Sequence, residues 1–97
     1  MFRSIGIIGT GAMGGAIAKL IAGKAPLFLS NRTECKAAAL ADTLPDAHVS
    51  TNVQIAADCD LIVLGVKPQI MPDVLKEIAP TLFVRSDRFV LVTMAAG

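Results

Sequence analysis

An apolar run that breaks into glycines, Ile5-Gly6-Ile7-Ile8-Gly9-Thr10-Gly11-Ala12-Met13-Gly14, narrows the possible folds more than any other part of this chain. Its first part, Ser4 to Ile8, is apolar enough for a strand buried on both faces, as strands of parallel sheets are. Its second part has the spacing GxGxxG. The residues that follow, about Ala12 to Ala22, carry Met13, Ile17, Leu20 and Ile21 at the spacing of one helix face. A strand that turns on glycine straight into a helix opens a βαβ unit. With Arg3 ahead of it the same stretch imitates a secretion signal. Each interior glycine, however, costs a helix about 1 kcal/mol relative to alanine, and a turn explains the regular spacing better.

Short apolar runs alternate with longer helical patterns along the rest of the chain. A second strand is expected over Leu27 to Leu29, entered through Pro26. A helix from Glu34 to about Thr43 follows, capped by Thr33 and ended by Pro45. Ala47 to Ser50 reads as a short third strand and Val53 to Ala57 as a helical turn or two. Asp60 to Val66 is the clearest strand. The next helix, about Gln69 to Ala79, turns Met71, Val74, Leu75 and Ile78 inward and holds Pro72 in its first turn. Phe89 to Met94 is a fifth strand. This alternation implies the α/β class: a Rossmann-like open parallel sheet of five strands in the order 3-2-1-4-5, with flanking helices and right-handed crossovers. Residues 1–97 are read as one dinucleotide-binding domain. The last strand has no following helix to cover it, so a truncated chain is expected, or one covered by a partner copy as a homo-oligomer.

At 97 residues, 54% apolar and 18% charged, with a net charge of +1, the chain has the composition of a compact globular domain and no electrostatic case for nucleic acid. It has neither Trp nor Tyr, so it offers no platform for stacking single-stranded bases. No run approaches the about 20 apolar residues that span a bilayer, and a cytoplasmic protein without a membrane partner is expected. Cys35, Cys59 and the lone His48 are too few for a zinc site. Both cysteines are expected as buried free thiols and His48 as half-buried structure. Asp58 and Asp60 read as turn and capping residues before the fourth strand.

In the glycine loop, Gly9 permits the tight turn, Gly11 lets a diphosphate approach the backbone, and Gly14 lets helix and strand pack closely. Free N–H groups of the first helical turn then face the phosphates, and the helix dipole favours their charge. A site selective for NAD usually puts Asp or Glu at the end of the second strand, to hold the ribose 2′-OH. Here that position reads Ser30-Asn31-Arg32-Thr33. No carboxylate stands there to repel a 2′-phosphate. Arg32 offers a fork of donors to one, and Ser30, Asn31 and Thr33 add neutral donors. Glu34 is expected to face the helix start instead. The charge pattern thus favours NADP(H) over NAD(H) as the nicotinamide dinucleotide.

With these residues assembled, the chain resembles the pyrroline-5-carboxylate reductase family in its N-terminal NADP-binding domain. The segments that carry the resemblance are IGIIGTGAMGGAIAKLI at 5–21, SNRT at 30–33, TN at 51–52, ADCDLIVLGVKPQIMPDVLKEI at 57–78 and MAAG at 94–97. The resemblance implies hydride transfer from NADPH to the C=N carbon of 1-pyrroline-5-carboxylate, a small imine, to give proline. It assigns Ile8, Gly9, Thr10, Gly11, Ala12 and Met13 to the diphosphate loop and Asn31, Arg32 and Thr33 to the 2′-phosphate end, and it places Asn52 in contact with the cofactor, although an Asn there also suits a helix cap. It sets Val66, Lys67 and Pro68 beside the nicotinamide ribose, with Ala95 and Ala96 at the end of the fifth strand. The family's substrate and dimerisation domain has no counterpart in this sequence. No catalytic residue or metal ligand is therefore named, and this span alone is expected to bind cofactor without turnover. Two other readings remain open: the NADP-binding domain of another reductase or dehydrogenase, and a nucleotide-binding module without chemistry.

Overall fold

A computed structural model describes residues 2–94. Within them β1 (Ile5–Ile8), α1 (Ala12–Ile21), β2 (Leu27–Ser30), α2 (Glu34–Asp42), β3 (Ala47–Val49), α3 (Asn52–Asp58), β4 (Leu61–Leu64), α4 (Met71–Phe83) and β5 (Val90–Thr93) follow one another. The strands form a single parallel sheet in the order β3-β2-β1-β4-β5, the order expected from the alternation in the sequence.

Strand side chains alternate between the two faces, and each face has its own core. Ile7, Leu27, Leu29 and Val63 point to one side, where Ala18 of α1 and Ala37 and Ala41 of α2 cover them. Ile8, Ile62 and Leu64 point to the other, against Ile55 and Ala56 of α3 and Val74 and Ile78 of α4. At full burial each such Leu or Ile contributes about 1.5–3 kcal/mol. β1 runs in register with both neighbours, Ile8 pairing with Ser30 on one side and with Leu64 on the other. The carboxyl ends of β1, β2 and β4 therefore stop level with one another. Gly9, Asn31 and Gly65 all emerge at one edge, at the point where the strand order reverses.

The inward face of α1 differs from the expected one. Met13 is 44% exposed and Leu20 73% exposed. Gly14 and Ala18 are buried in their place, with Ile17 and Ile21 half-buried. The helix lies too close to the sheet for large side chains along its contact line. Helix α4 extends past the expected Ala79, with Pro80 accommodated inside it. Thr33 occupies the N-cap position of α2 without a side-chain capping bond. Thr51, not Asn52, caps α3, its hydroxyl accepting from the Gln54 amide at 3.1 Å. Cys35 is exposed, against expectation, because the first turn of α2 faces outward. Cys59 is buried as expected, and that burial pushes its thiol pKa up to about 11. His48 is exposed rather than half-buried. It lies against the Phe28 ring at a centroid distance of 5.4 Å and is hydrogen-bonded to Asp46 at 2.8 Å.

Asp60 fixes the start of β1. Its carboxylate accepts from the Arg3 amide at 2.8 Å and from the Ser4 amide at 3.0 Å. Burial alone would raise its pKa, but the amides of Arg3 and Ser4 and its own outweigh that effect and hold the carboxyl below the usual range. A depressed folded-state pKa means stabilisation that is present above the unfolded value, near 3.9, and lost as pH falls through the folded one. Asp60→Asn is therefore expected to lower stability at neutral pH by under about 1 kcal/mol, given solvent screening at this site. The gap between the two proteins should close below about pH 4 in denaturant melts run across pH. A gap of constant size down to about pH 2 would contradict this role.

Candidate functional site

Three glycines meet at the level edge of the sheet. Gly9 leaves β1 with φ +94°, a conformation that L side chains rarely adopt. A Cβ built on Gly14 would meet the Gly9 carbonyl oxygen within 2.0 Å, and one on Gly9 would meet the Gly65 carbonyl at 2.7 Å. A Cβ on Gly65 would stand 3.0 Å from the Gly9 oxygen and 3.2 Å from the Gly14 Cα. The start of α1 thus rests directly on the backbone leaving β1 and β4. Two bonds tie the loop to its neighbours: the Gly9 amide donates to Ser30 O at 2.7 Å, and the Gly65 amide donates to Ile8 O at 2.8 Å. Gly65 was not singled out in the sequence, although it interrupts the β-branched run of β4 at the point where a close backbone approach is required.

Gly11 behaves differently. It is the N-cap of α1, with φ −70° and ψ −160°, an extended conformation open to any residue, and beyond its chain neighbours no atom of the described residues lies within 4 Å of where its Cβ would stand. Neither packing nor conformation calls for glycine there. Among the described residues no side chain caps this helix, which leaves the N–H groups of its first turn free. The Thr10 hydroxyl beside it is a buried oxygen with no hydrogen-bond partner among the described residues. The loop thus holds unmet donors around an open glycine, the arrangement expected of a cradle for a diphosphate.

A cleft of about 220 Å³ opens at this loop. Among the sequence-predicted residues, Ile8, Gly9, Gly11, Asn31, Arg32, Asn52, Val66 and Lys67 line it. Arg32 and Lys67 are the titratable residues in its lining, and both are cationic. A second cleft of about 390 Å³ shares Asn31, Arg32 and Asn52 with the first and adds Ser30. The two together run from the glycine loop past the end of β2. Gly14 lies beneath the loop and outside both linings. Met13, Thr33 and Pro68 are exposed but line neither cleft. Ala95 and Ala96 lie outside the described residues.

Polar order in the second cleft comes from a chain that sequence reasoning missed. Ser30 Oγ donates to Asn52 Oδ1 at 2.5 Å, and Asn52 Nδ2 donates to Glu77 Oε1 at 2.7 Å. Asn52 is thereby fixed between β2 and α4. Glu77 is a polar position on an otherwise ordinary amphipathic helix, so nothing in the local pattern marked it. Glu34 also lines this cleft, contrary to the expectation that it would face only the helix start. The reason is that α2 begins at the cleft wall, so its first turn forms part of the rim.

The family model described as NADP oxidoreductase, coenzyme F420-dependent, matches residues 4–97. A pyrroline-5-carboxylate reductase of Corynebacterium melassecola is 35% identical over 98 residues, covering 97% of this chain and 36% of its own length. The crystal structure of Plasmodium falciparum pyrroline carboxylate reductase with NADP bound superposes with a TM-score of 0.71 at 30% identity, covering 96% of this chain and 33% of that one. An imine reductase of Bacillus cereus superposes with a TM-score of 0.77 at 27% identity, covering 97% of this chain and 32% of that one. The chain therefore spans about a third of the length of the relatives it matches.

The glycines make a paired prediction. Gly14→Ala should lower stability by about 1–3 kcal/mol or more, since backbone must move to admit the methyl group. Gly11→Ala should cost under about 1 kcal/mol, the scale of a changed N-cap. Urea melts of the two variants beside the parent chain test this, and equal losses would contradict the different roles of the two glycines.

Proposed function

The chain belongs to the NADP oxidoreductase, coenzyme F420-dependent, family, and from that membership we propose that residues 1–97 form the NADP(H)-binding domain of an imine reductase acting on 1-pyrroline-5-carboxylate. The observation that carries the reading is Gly11: a glycine at a helix N-terminus whose open side the fold does not use.

In this reading the free amides at the start of α1 bind the diphosphate, favoured by the positive end of the helix dipole. The Thr10 hydroxyl, unpartnered among the described residues, gains an acceptor. Arg32 and Asn31 bind the 2′-phosphate at the mouth of the second cleft, where Ser30 and Asn52 supply neutral polar groups. Val66, Lys67 and Pro68, after β4, flank the nicotinamide end, with Lys67 contributing a cation to the lining of the first cleft. Ala95 and Ala96 are assigned to the same end by resemblance. When bound, the reduced cofactor supplies the hydride that goes to the imine carbon, while a proton goes to its nitrogen to give proline. Holding the imine, donating that proton and pairing two copies are assigned to no residue among those described. The names of the relatives support the substrate, and a cytoplasmic setting fits such metabolism.

The test is titration of the chain with NADPH and NADH, followed by melting temperature, because a ligand of the native state must stabilise it by mass action. Saturable stabilisation by both is expected, with NADPH the tighter. Arg32→Ala should weaken NADPH about tenfold or more, the scale of a lost charge-assisted hydrogen bond, and leave NADH nearly unchanged. Equal affinities in the parent chain, or equal losses in the variant, would contradict the role given to Arg32. No stabilisation by either nucleotide would contradict the cofactor reading itself.

A further inference from the structure

The rule that reads cofactor preference from the end of the second strand looks for a carboxylate on that strand alone. Here one reaches the same place from another element. Glu77, on α4, lines the second cleft together with Arg32. Its position is held: Asn52 Nδ2 donates to it at 2.7 Å, and Asn52 is itself bound by Ser30 from the end of β2. Glu34 shares the cleft but has no hydrogen bond among the described residues, so it is free to swing into solvent. Arg32 forms no ion pair with either acid among the described residues.

We propose that Glu77 is a specificity-determining residue of this site, a fixed negative charge that restrains the preference of Arg32 for a 2′-phosphorylated dinucleotide. The inference rests on the NADP(H) reading above and on the 2′-end lying in the second cleft. Arg32 attracts a 2′-phosphate, while a carboxylate anchored in the same cleft repels it. A ribose 2′-hydroxyl carries no charge to be repelled and can donate to a carboxylate. Glu77 therefore acts on one cofactor and spares the other.

The test is Glu77→Gln, with NADPH and NADH dissociation constants measured by calorimetry at low and high salt. A Gln carbonyl oxygen can still accept from Asn52, so the chain from Ser30 survives while the charge is removed. The affinity ratio of NADPH to NADH should rise by about fivefold at low salt, the upper range for an exposed charge pair. The rise should shrink toward one in high salt, where charges in an open cleft are screened. Glu34→Gln should move the ratio less. An unchanged ratio in Glu77→Gln, or an equal loss for both nucleotides, would overturn the proposal, the second by showing that Glu77 only props Asn52. A parent chain that binds neither nucleotide overturns the cofactor reading and this inference together. Binding with an unmoved ratio overturns this inference alone.

Discussion

The structure turns on how closely α1 approaches the sheet. The Gly14 Cα and the Gly9 carbonyl are packed so that no side chain fits between them, and the Gly65 backbone closes the contact from β4. This contact sets the depth of α1, and the rest follows from that depth. Small residues, Gly14 and Ala18, occupy the contact line, and the larger Met13 and Leu20 are left outside. The amino end of the helix is brought level with the carboxyl ends of β1, β2 and β4, so its free amides face the crevice where the strand order reverses. A bulkier residue at position 14 would lift the helix, and the donors would no longer converge.

The same edge of the sheet collects the charges. Arg32 follows β2 and Lys67 follows β4, so two cations bracket the glycine loop. Glu77 enters from α4 and Glu34 from the first turn of α2. The two clefts together thus carry opposing charges from four separate segments. Hydrogen bonding holds Glu77. At the carboxyl end of α3, charge has a structural role. Arg85 donates to the carbonyls of Ala56 and Cys59 at 2.8 and 2.6 Å and pairs with Asp87, closing the carboxyl end of α3.

Features set by short-range chemistry were legible in the sequence. Alternating apolar runs and helical stretches gave every strand, the sheet order and the approximate position of each helix. The glycine spacing marked the loop, and Ser30-Asn31-Arg32 marked the polar end of β2. Features set by how elements meet were not legible. Helix periodicity marks an apolar face, but it does not say that the sheet lies too near for Met13 and Leu20. Gly65 is a single glycine in a strand run, and it gains meaning only beside Gly9 and Gly14. Glu77 matters because α4 crosses the amino end of α3 at Asn52, a meeting far apart in sequence. The exposure of Cys35 was not legible either, because cysteine's general habit of burial says nothing about which way the first turn of a helix faces.

The proposed cofactor site stands on backbone amides at the start of α1 receiving a diphosphate. Following the amide resonances of the ¹⁵N-labelled chain during titration with NADP⁺ tests it directly. The amides of Thr10, Gly11, Met13 and Gly14 should shift first and saturate together, with Arg32 following the same curve. Shifts confined to other surfaces, or a glycine loop that stays unmoved at saturating nucleotide, would contradict it.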